Sequence, residues 1–251
     1  MVLVAHGSRD PRAAVATESL ARAVRRARPD WVVRASYLDH AGPRPLDVLA
    51  SPLLSGRRVA LVPLLLTAAY HGRVDLPAVV REASSLPVSV TASSVLGPVS
   101  RLLVEGLCRR LLASGFDGVA PAGVGGVVPA GLDGVVLASA GTRDVAARAT
   151  VADAAVALGR RLGVPAAVSY ASGEGPRPGE AVAGLRARGC RRVGMAAYFL
   201  APGLLYDNAV GSALEAGAVV VAAPLGDAPE LARLVERRAQ SVLSGALAAA
   251  A

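Results

Sequence analysis

The sequence of 251 residues contains no lysine, and all 27 of its basic residues are arginine. The absence of lysine excludes Schiff-base catalysis and the phosphate-binding lysine of Walker-type loops. Aromatic residues make up only 3% of the chain, so the 53% of hydrophobic residues must build aliphatic cores. The two cysteines form no Cys-x-x-Cys motif, which argues against a thiolate-bound metal or iron–sulfur cluster and predicts two reduced thiols.

Long hydrophobic runs are also absent, since no run reaches the roughly 18 apolar residues that a membrane helix needs. The chain starts directly with a strand pattern at Val2–Ala5, without the basic and apolar segments of a secretion signal. We therefore expect a cytoplasmic protein without a membrane partner. The net charge is +8, of which residues 1–130 contribute +6 and residues 131–251 contribute +2. Because the arginines are not interleaved with aromatic residues, we expect no nucleic-acid partner.

The most informative feature that is present is an internal duplication. Three pairs of segments match at nearly one spacing: 3–10 with 137–144, 59–71 with 193–205, and 42–45 with 175–178. The offset is 134 residues for the first two pairs and 133 for the third. His6 then aligns with Ala140 and His71 with Leu205. The pattern indicates two copies of one unit, of which only the first keeps these imidazoles.

Each copy alternates apolar runs with amphipathic stretches, which is typical of a parallel sheet covered by helices on both faces. We predict the α/β class, with two similar doubly wound parallel-sheet domains at 1–115 and 134–251 and a linker at 116–133. Predicted strands lie at 2–5, 31–37, 59–67, 88–95, 134–138, 166–171, 192–200 and 218–223. Predicted helices lie at 13–28, 45–54, 76–83, 99–114, 145–162, 179–188, 205–215 and 228–244.

The three histidines all follow predicted strands. His6, His40 and His71 come after the first, second and third strands, and Asp39 precedes His40. Because ligands of such sheets bind beyond the carboxyl ends of the strands, we expect His6 and His71 at one edge. Two imidazoles with one carboxylate suit a borderline divalent metal such as Fe, Co, Ni or Zn, held in an open and transient site.

Structural alternatives exist for each of these residues. His6 could be a hydrogen-bonded residue beside a helix that Ser8 caps. His71 could lie in a surface loop, with Asp75 capping the helix after it. His40 could belong to a solvated turn before Gly42, which is the interpretation that we favour for it.

Several motifs together resemble the sirohydrochlorin chelatases, the small class II chelatases of siroheme and cobalamin synthesis. These motifs are His6-Gly7-Ser8-Arg9, Ser36-Tyr37-Leu38-Asp39, and Val62-Pro63-Leu64-Leu65-Leu66 leading to His71 and Asp75-Leu76-Pro77. The resemblance covers nearly the whole chain and corresponds to a duplicated, single-chain form of the family. Two positions depart from the family pattern: Asp39 stands where Glu is common, and Ala68-Ala69-Tyr70 replaces a glycine-rich approach to His71.

The resemblance implies an ATP-independent enzyme that inserts Fe²⁺, or in second place Co²⁺, into a polycarboxylate tetrapyrrole. By this resemblance, His6 and His71 bind the incoming metal and accept the pyrrole protons. It implies a substrate-binding role for a further set of residues: Gly7, Ser8, Arg9, Asp39 and Tyr70. We expect Arg9, and with it Arg44 and Arg73, to bind the carboxylates of the macrocycle. The resemblance further implies that no cofactor is permanently bound, since the divalent metal (Fe²⁺, Co²⁺ or Ni²⁺) is a substrate. Because both repeats lie on one chain, we expect a monomer.

Two other classes of protein remain open. A carrier of metal or tetrapyrrole could use the same residues without turnover. The departure from the family pattern at Asp39, where Glu is common, is the feature that leaves this alternative open. A transferase of the same pathway is not supported, because the sequence has no glycine-rich nucleotide-binding fingerprint.

Overall fold

A computed structural model describes residues 1–67, 75–114, 119–122, 126–129 and 131–248. The strands are β1 (Val2–Ala5), β2 (Arg34–Tyr37), β3 (Arg58–Pro63), β4 (Ser89–Ala92), β5 (Val119–Ala122), β6 (Gly126–Pro129), β7 (Gly134–Ser139), β8 (Ala166–Tyr170), β9 (Val193–Tyr198) and β10 (Val220–Val221). The α-helices are α1 (Pro11–Ala27), α2 (Pro45–Leu49), α3 (Asp75–Glu82), α4 (Arg101–Ala113), α5 (Val145–Leu162), α6 (Pro178–Ala187), α7 (Leu204–Glu215) and α8 (Pro229–Ala248). No helix in these segments is long and apolar enough to cross a membrane.

The chain divides into two compact units, the first being Met1–Gly97 with Pro229–Ala251. Its sheet has the strand order β2-β1-β3-β4, and each pair of neighbouring strands is parallel. The central strands β1 and β3 are almost entirely buried, which explains their continuous runs of Val and Leu. Helix α1 begins after Asp10, whose side chain accepts a hydrogen bond from the Arg12 backbone N–H at 2.9 Å.

The second unit, Pro98–Ala228, repeats this architecture. Its main sheet has the order β10-β9-β7-β8, again with parallel pairs throughout. The two α/β sheets confirm the predicted fold class and the duplication. The Gly-Pro-Arg-Pro motif also plays the same role in both copies, since the backbone N–H of Arg44 donates to Asp47 and that of Arg177 donates to Glu180.

The compact units differ from the domains predicted at 1–115 and 134–251, because the last helix of each repeat belongs to the other unit. Helix α4 packs against α5 and β9 in the second unit, where Arg110 donates to the Leu225 carbonyl at 2.7 Å. Helix α8 packs against α1 and β3 in the first unit, where Arg238 donates to the Leu96 carbonyl at 3.2 Å. The predicted domains describe the two repeats of the sequence and stay a prediction. The compact units differ from them because each final helix packs against the sheet of the other repeat.

The predicted linker contains strands of its own, and the bounds of two predicted elements need correction. The predicted linker 116–133 contains an antiparallel pair of strands, β5 and β6, between which residues 123–125 lie outside the described chain. The predicted helix 45–54 ends at Leu49, and a 3-10 helix follows at Pro52–Leu54, because Pro52 has no backbone N–H to continue an α-helix. The predicted strand 31–37 begins only at Arg34, where its pairing with Val2 of β1 begins.

Candidate active site

The candidate site lies where the strand order of the first sheet reverses. Strand β1 stands between β2 and β3. The connection after β1 therefore leads to the strand on one side of it, and the connection after β2 leads to the strand on its other side. In open parallel sheets, such a switch point leaves a crevice beyond the carboxyl ends of the strands. His6 directly follows β1, and Asp39 and His40 follow β2 within three residues, which places all three residues at this edge.

Gly7 brings the loop after β1 into direct contact with the loop after β2. It has a φ of 97°, and a Cβ atom there would stand 1.8 Å from the carbonyl oxygen of Asp39. The backbone N–H of Asp39 donates to the carbonyl of His6 at 2.8 Å. Only glycine combines this φ with so close an approach, so Gly7 fixes the position of Asp39 relative to His6.

The two described histidines of this edge lie close together. The ring centroids of His6 and His40 are 6.1 Å apart and the planes are at 87°, an edge-to-face arrangement. The side chain of His6 is half-buried and its Nδ1 atom is buried, whereas the His40 side chain is 36% exposed. The interpretation of His40 as a merely solvated turn residue therefore leaves its ring contact with His6 unexplained.

Asp39 is the carboxylate of this group. Its Oδ1 accepts a hydrogen bond from the His40 backbone N–H at 2.8 Å, and its Oδ2 lies 3.5 Å from Nε2 of His40. Arg44 Nη2 lies 3.9 Å from Oδ1. The backbone hydrogen bond, with the nearby charges of His40, Arg44 and His6, holds the pKa of Asp39 below its ordinary value. Asp39 is therefore ionised at neutral pH and can hold a neighbouring imidazole or a cation.

Ser8 and Arg9 lie in the turn between Gly7 and helix α1. The predicted capping of α1 by Ser8 is wrong, because Asp10 is the N-cap residue. Ser8 instead accepts a hydrogen bond from the backbone N–H of Asp10 at 3.1 Å and so shapes the turn before the helix. Arg9 is exposed at this turn, where its guanidinium is accessible to an anionic ligand. The substrate-binding roles of both residues stay predictions.

A family model matches the chain over both repeats. The model of the CbiX family aligns with residues 1–113 and 134–242, which leaves only the linker and the C-terminal end unmatched. The chain belongs to the CbiX family. The two matched segments coincide closely with the two predicted repeats, and no curated protein shows a significant match to the chain.

Solved structures with a similar fold include those of chelatases. SirB from Bacillus subtilis with Fe³⁺ has a TM-score of 0.72 at 21% identity, with 94% of this chain and 92% of SirB aligned. The cobalt complex of the sirohydrochlorin chelatase SirB from Bacillus subtilis subspecies spizizenii has a TM-score of 0.66 at 18% identity, covering 95% and 92% of the two chains. A CbiX described as the terminal enzyme of siroheme biosynthesis in denitrifying bacteria has a TM-score of 0.64 at 19% identity, covering 94% and 97%. These likenesses confirm the predicted fold.

The second unit of this CbiX protein keeps the frame of the site without its chemistry. Gly141 has a φ of 99°, and a Cβ there would stand 2.0 Å from the carbonyl oxygen of Ser172. The backbone N–H of Ser172 donates to the Ala140 carbonyl at 3.0 Å, as Asp39 donates to His6 in the first unit. Ala140, Ser172 and Gly173 thus occupy the positions of His6, Asp39 and His40. The crossing of the two loops is common to both copies, but the ionisable groups belong only to the first.

Two of the predicted site residues, Tyr70 and His71, lie outside the described residues, as does Arg73. In the part of the chain that the structure does describe, no group of three or more His, Cys, Asp or Glu side chains could hold a metal ion. The pairing of His6 with His71 therefore stays a prediction. It is supported by the sequence order alone, in which residue 71 follows β3, the other strand of the switch point.

Gly97 is a positional determinant that the sequence reasoning missed. A Cβ on Gly97 would stand 2.0 Å from the carbonyl oxygen of Leu66, in the segment that leads from β3 towards His71. The Leu96 backbone N–H donates to the Leu65 carbonyl at 2.9 Å beside it. A signal was available, because the Leu-Gly pair at 96–97 recurs at 225–226, after the fourth strand of each copy.

Proposed function

We propose that this protein is a sirohydrochlorin chelatase, which inserts a divalent metal into a metal-free polycarboxylate tetrapyrrole without ATP. The observation that carries the proposal is the placement of His6 and Asp39 at the switch point of the first sheet, in a chain of the CbiX family. The structures of SirB with iron and cobalt support the choice of metals. We propose Fe²⁺ as the first metal, Co²⁺ as the second, and Ni²⁺ as a further substrate.

In the proposed reaction, the imidazoles of His6 and His71 bind the metal while it loses water, and then accept the two protons that leave the pyrrole nitrogens. An unperturbed imidazole titrates near neutral pH, so one side chain can serve as a metal ligand and as a proton acceptor. With few strong protein ligands, the metal is held weakly enough to pass to the four nitrogens of the macrocycle.

The charges around the site suit an anionic macrocycle. Arg9 and Arg44 are exposed near the site, and both can bind carboxylates bidentately. The second repeat has exposed apolar side chains at the corresponding place: Leu205, at the position of His71, is 38% exposed, and Leu204 beside it is 73% exposed. We propose that Arg9, Arg44 and Arg73 bind the carboxylates of the macrocycle. Gly7, Ser8 and Tyr70 would line the substrate site.

The experiment is an anaerobic metallation assay. Purified protein is mixed with sirohydrochlorin and with Fe²⁺, Co²⁺ or Ni²⁺, and the absorption spectrum is followed against a control without protein. We expect many equivalents of metallated product per protein and a large loss of rate in His6→Ala and His71→Ala. Leu205→Ala, at the position that corresponds to His71, is the matched control and should keep the metal-binding step. Undiminished turnover in the double histidine variant would overturn the proposal.

The alternative is a carrier of metal or tetrapyrrole. A spectral change that stops at one equivalent per protein would favour the carrier over the enzyme. We further propose a monomer in the cytoplasm, since both repeats lie on one chain and the free cysteines Cys108 and Cys190 suit a reducing compartment. Light scattering on the purified protein tests the monomer.

A further inference from the structure

His40 has a backbone conformation that favours glycine. Its φ is 58°, and among the residues that the structure describes it is the one residue other than glycine with a positive φ. At the equivalent position, the second copy has Gly173, with a φ of 73°. The left-handed region is disfavoured for side chains with a Cβ atom and carries no such penalty for glycine. The turn alone is therefore made more easily by glycine, although histidine is among the residues that adopt this region more often than most. What the conformation does for His40 is shown by where its ring lies.

The left-handed turn directs the ring of His40 towards His6. The two ring centroids are 6.1 Å apart. Two imidazoles bound to one ion at the usual metal–nitrogen distance of about 2 Å have centroids no more than roughly 6.5 Å apart. The separation of 6.1 Å is near this limit, which two imidazoles reach only on opposite sides of the ion. The exposed ring of His40 must therefore move towards His6 for the two rings to share one cation at a smaller angle.

Asp39 occupies the position of a carboxylate that orients a metal-binding imidazole. Its Oδ2 lies 3.5 Å from Nε2 of His40, and its Oδ1 accepts the His40 backbone N–H at 2.8 Å. A metal-binding histidine commonly presents its second nitrogen to such a carboxylate, which fixes the ring and makes it a better ligand. The second copy has Ser172 and Gly173 at these positions, so the carboxylate and the imidazole are absent together.

We infer that His40 is a metal-binding residue, which with His6 forms a two-imidazole site that receives the incoming divalent cation, and that Asp39 orients it. The inference rests on the proposed function for the role of the cation as substrate, but the binding itself can be tested without the tetrapyrrole. Because His40 is more exposed than His6, it is placed to meet the cation first, before the cation passes inwards.

The test is Co²⁺ binding to the full-length protein, measured by calorimetry and by the visible absorption of the bound ion. We expect His40→Gly to raise the Kd for Co²⁺ at least about tenfold and to change the spectrum, with a Tm equal to or above that of the wild type. His40→Asn, which also tolerates the left-handed region, should lose the same affinity. Asp39→Asn should weaken binding by about tenfold, in line with the loss of a partner that orients a ligand.

A His40→Gly protein that binds Co²⁺ within about twofold of the wild type, with the same spectrum, would overturn the inference. That result together with normal metallation of sirohydrochlorin, abolished by His6→Ala, would leave the proposed function standing. The opposite pattern, loss of Co²⁺ binding in His40→Gly but no metallation by the wild type, would support the metal site and refute the chelatase.

Discussion

Replacing Gly7 with alanine tests whether the crossing of the first two loops positions the site. The substitution puts a Cβ atom at a φ of 97°, which costs about 1–2 kcal/mol for a non-glycine residue. It also puts that atom 1.8 Å from the Asp39 carbonyl oxygen, so the loops must move apart by more than an ångström. That movement breaks the hydrogen bond from the Asp39 N–H to the His6 carbonyl, worth about 1 kcal/mol.

The total cost for Gly7→Ala is therefore about 2–3 kcal/mol of unfolding free energy. In a chain of this size, it corresponds to a fall in Tm of roughly 4–12 °C. Gly141→Ala is a matched control, because its φ of 99° and its Cβ distance of 2.0 Å to the Ser172 carbonyl oxygen are nearly the same. We expect equal destabilisation in both variants, measured by urea unfolding.

The two variants should differ in metal chemistry. Gly7→Ala separates Asp39 and His40 from His6 and should weaken Co²⁺ binding and metallation at least about tenfold, a factor that corresponds to 1.4 kcal/mol. Gly141→Ala disturbs a loop crossing without ionisable groups and should keep the Kd for Co²⁺. Unchanged stability of Gly7→Ala would refute the close approach, and equal loss of metal binding in both variants would refute the assignment of the chemistry to the first copy.

Three further perturbations test other parts of the structure. Gly97→Ala puts a Cβ 2.0 Å from the Leu66 carbonyl oxygen and should lower the Tm and the rate of metallation together, because this contact fixes the segment leading to residue 71. Arg110→Leu removes two hydrogen bonds to one carbonyl oxygen and an ion pair within the second unit, and should cost about 2 kcal/mol in urea unfolding. Burial raises the pKa of Cys108 to about 11 and that of Tyr198 to about 12. Folding favours the protonated forms of these two side chains. The stability that they give to the folded state is therefore complete below about pH 9 and is lost as the pH rises through 11 and 12. Unfolding free energies from pH 8 to 12 should therefore fall, and less steeply up to pH 11 in Cys108→Ala.

Much of the fold followed from hydrophobic periodicity. The helix predicted at 145–162 has these bounds in the structure, ending before Gly163 at a φ of 69°. Strand β1 also has its predicted bounds, because four consecutive apolar residues at the centre of a sheet leave little alternative. Strand ends were predicted less well. They depend on where the neighbouring strand stops, and the sequence of one strand does not contain that information.

The placement of the final helices could not be predicted from the repeat. Helix α4 buries a stripe of Leu102, Leu103, Leu107 and Leu111, and α8 buries Leu231, Leu234 and Val235. Both stripes have the spacing of an amphipathic helix, and either would cover an aliphatic sheet face. The sequence thus shows that each helix has a partner sheet, but the two copies are too alike to show which sheet it is.

The predicted site residues stay predictions, but the duplication already carries the observation on which the inference for His40 depends. His6 and Gly7 were predicted as site residues because they follow a strand and because the second copy has lost the histidine. The same alignment pairs His40 with Gly173, and a histidine aligned with a glycine in a turn suggests a positive φ. That pairing is the signal in the sequence that supports the inference for His40, whereas we favoured a solvated turn from the sequence.

The two copies act as a comparison within one chain. Both keep the glycine that lets the first two loops cross, at φ values of 97° and 99°, so the crossing serves the fold of either unit. What differs is the set of side chains on that common frame: His6, Asp39 and His40 in one copy, and Ala140, Ser172 and Gly173 in the other. The first copy keeps a histidine in a left-handed turn, whereas the second has the residue that this turn favours. Because the left-handed turn carries a histidine only in the copy that also has His6 and Asp39, we infer that the His40 side chain serves the proposed site and not the turn.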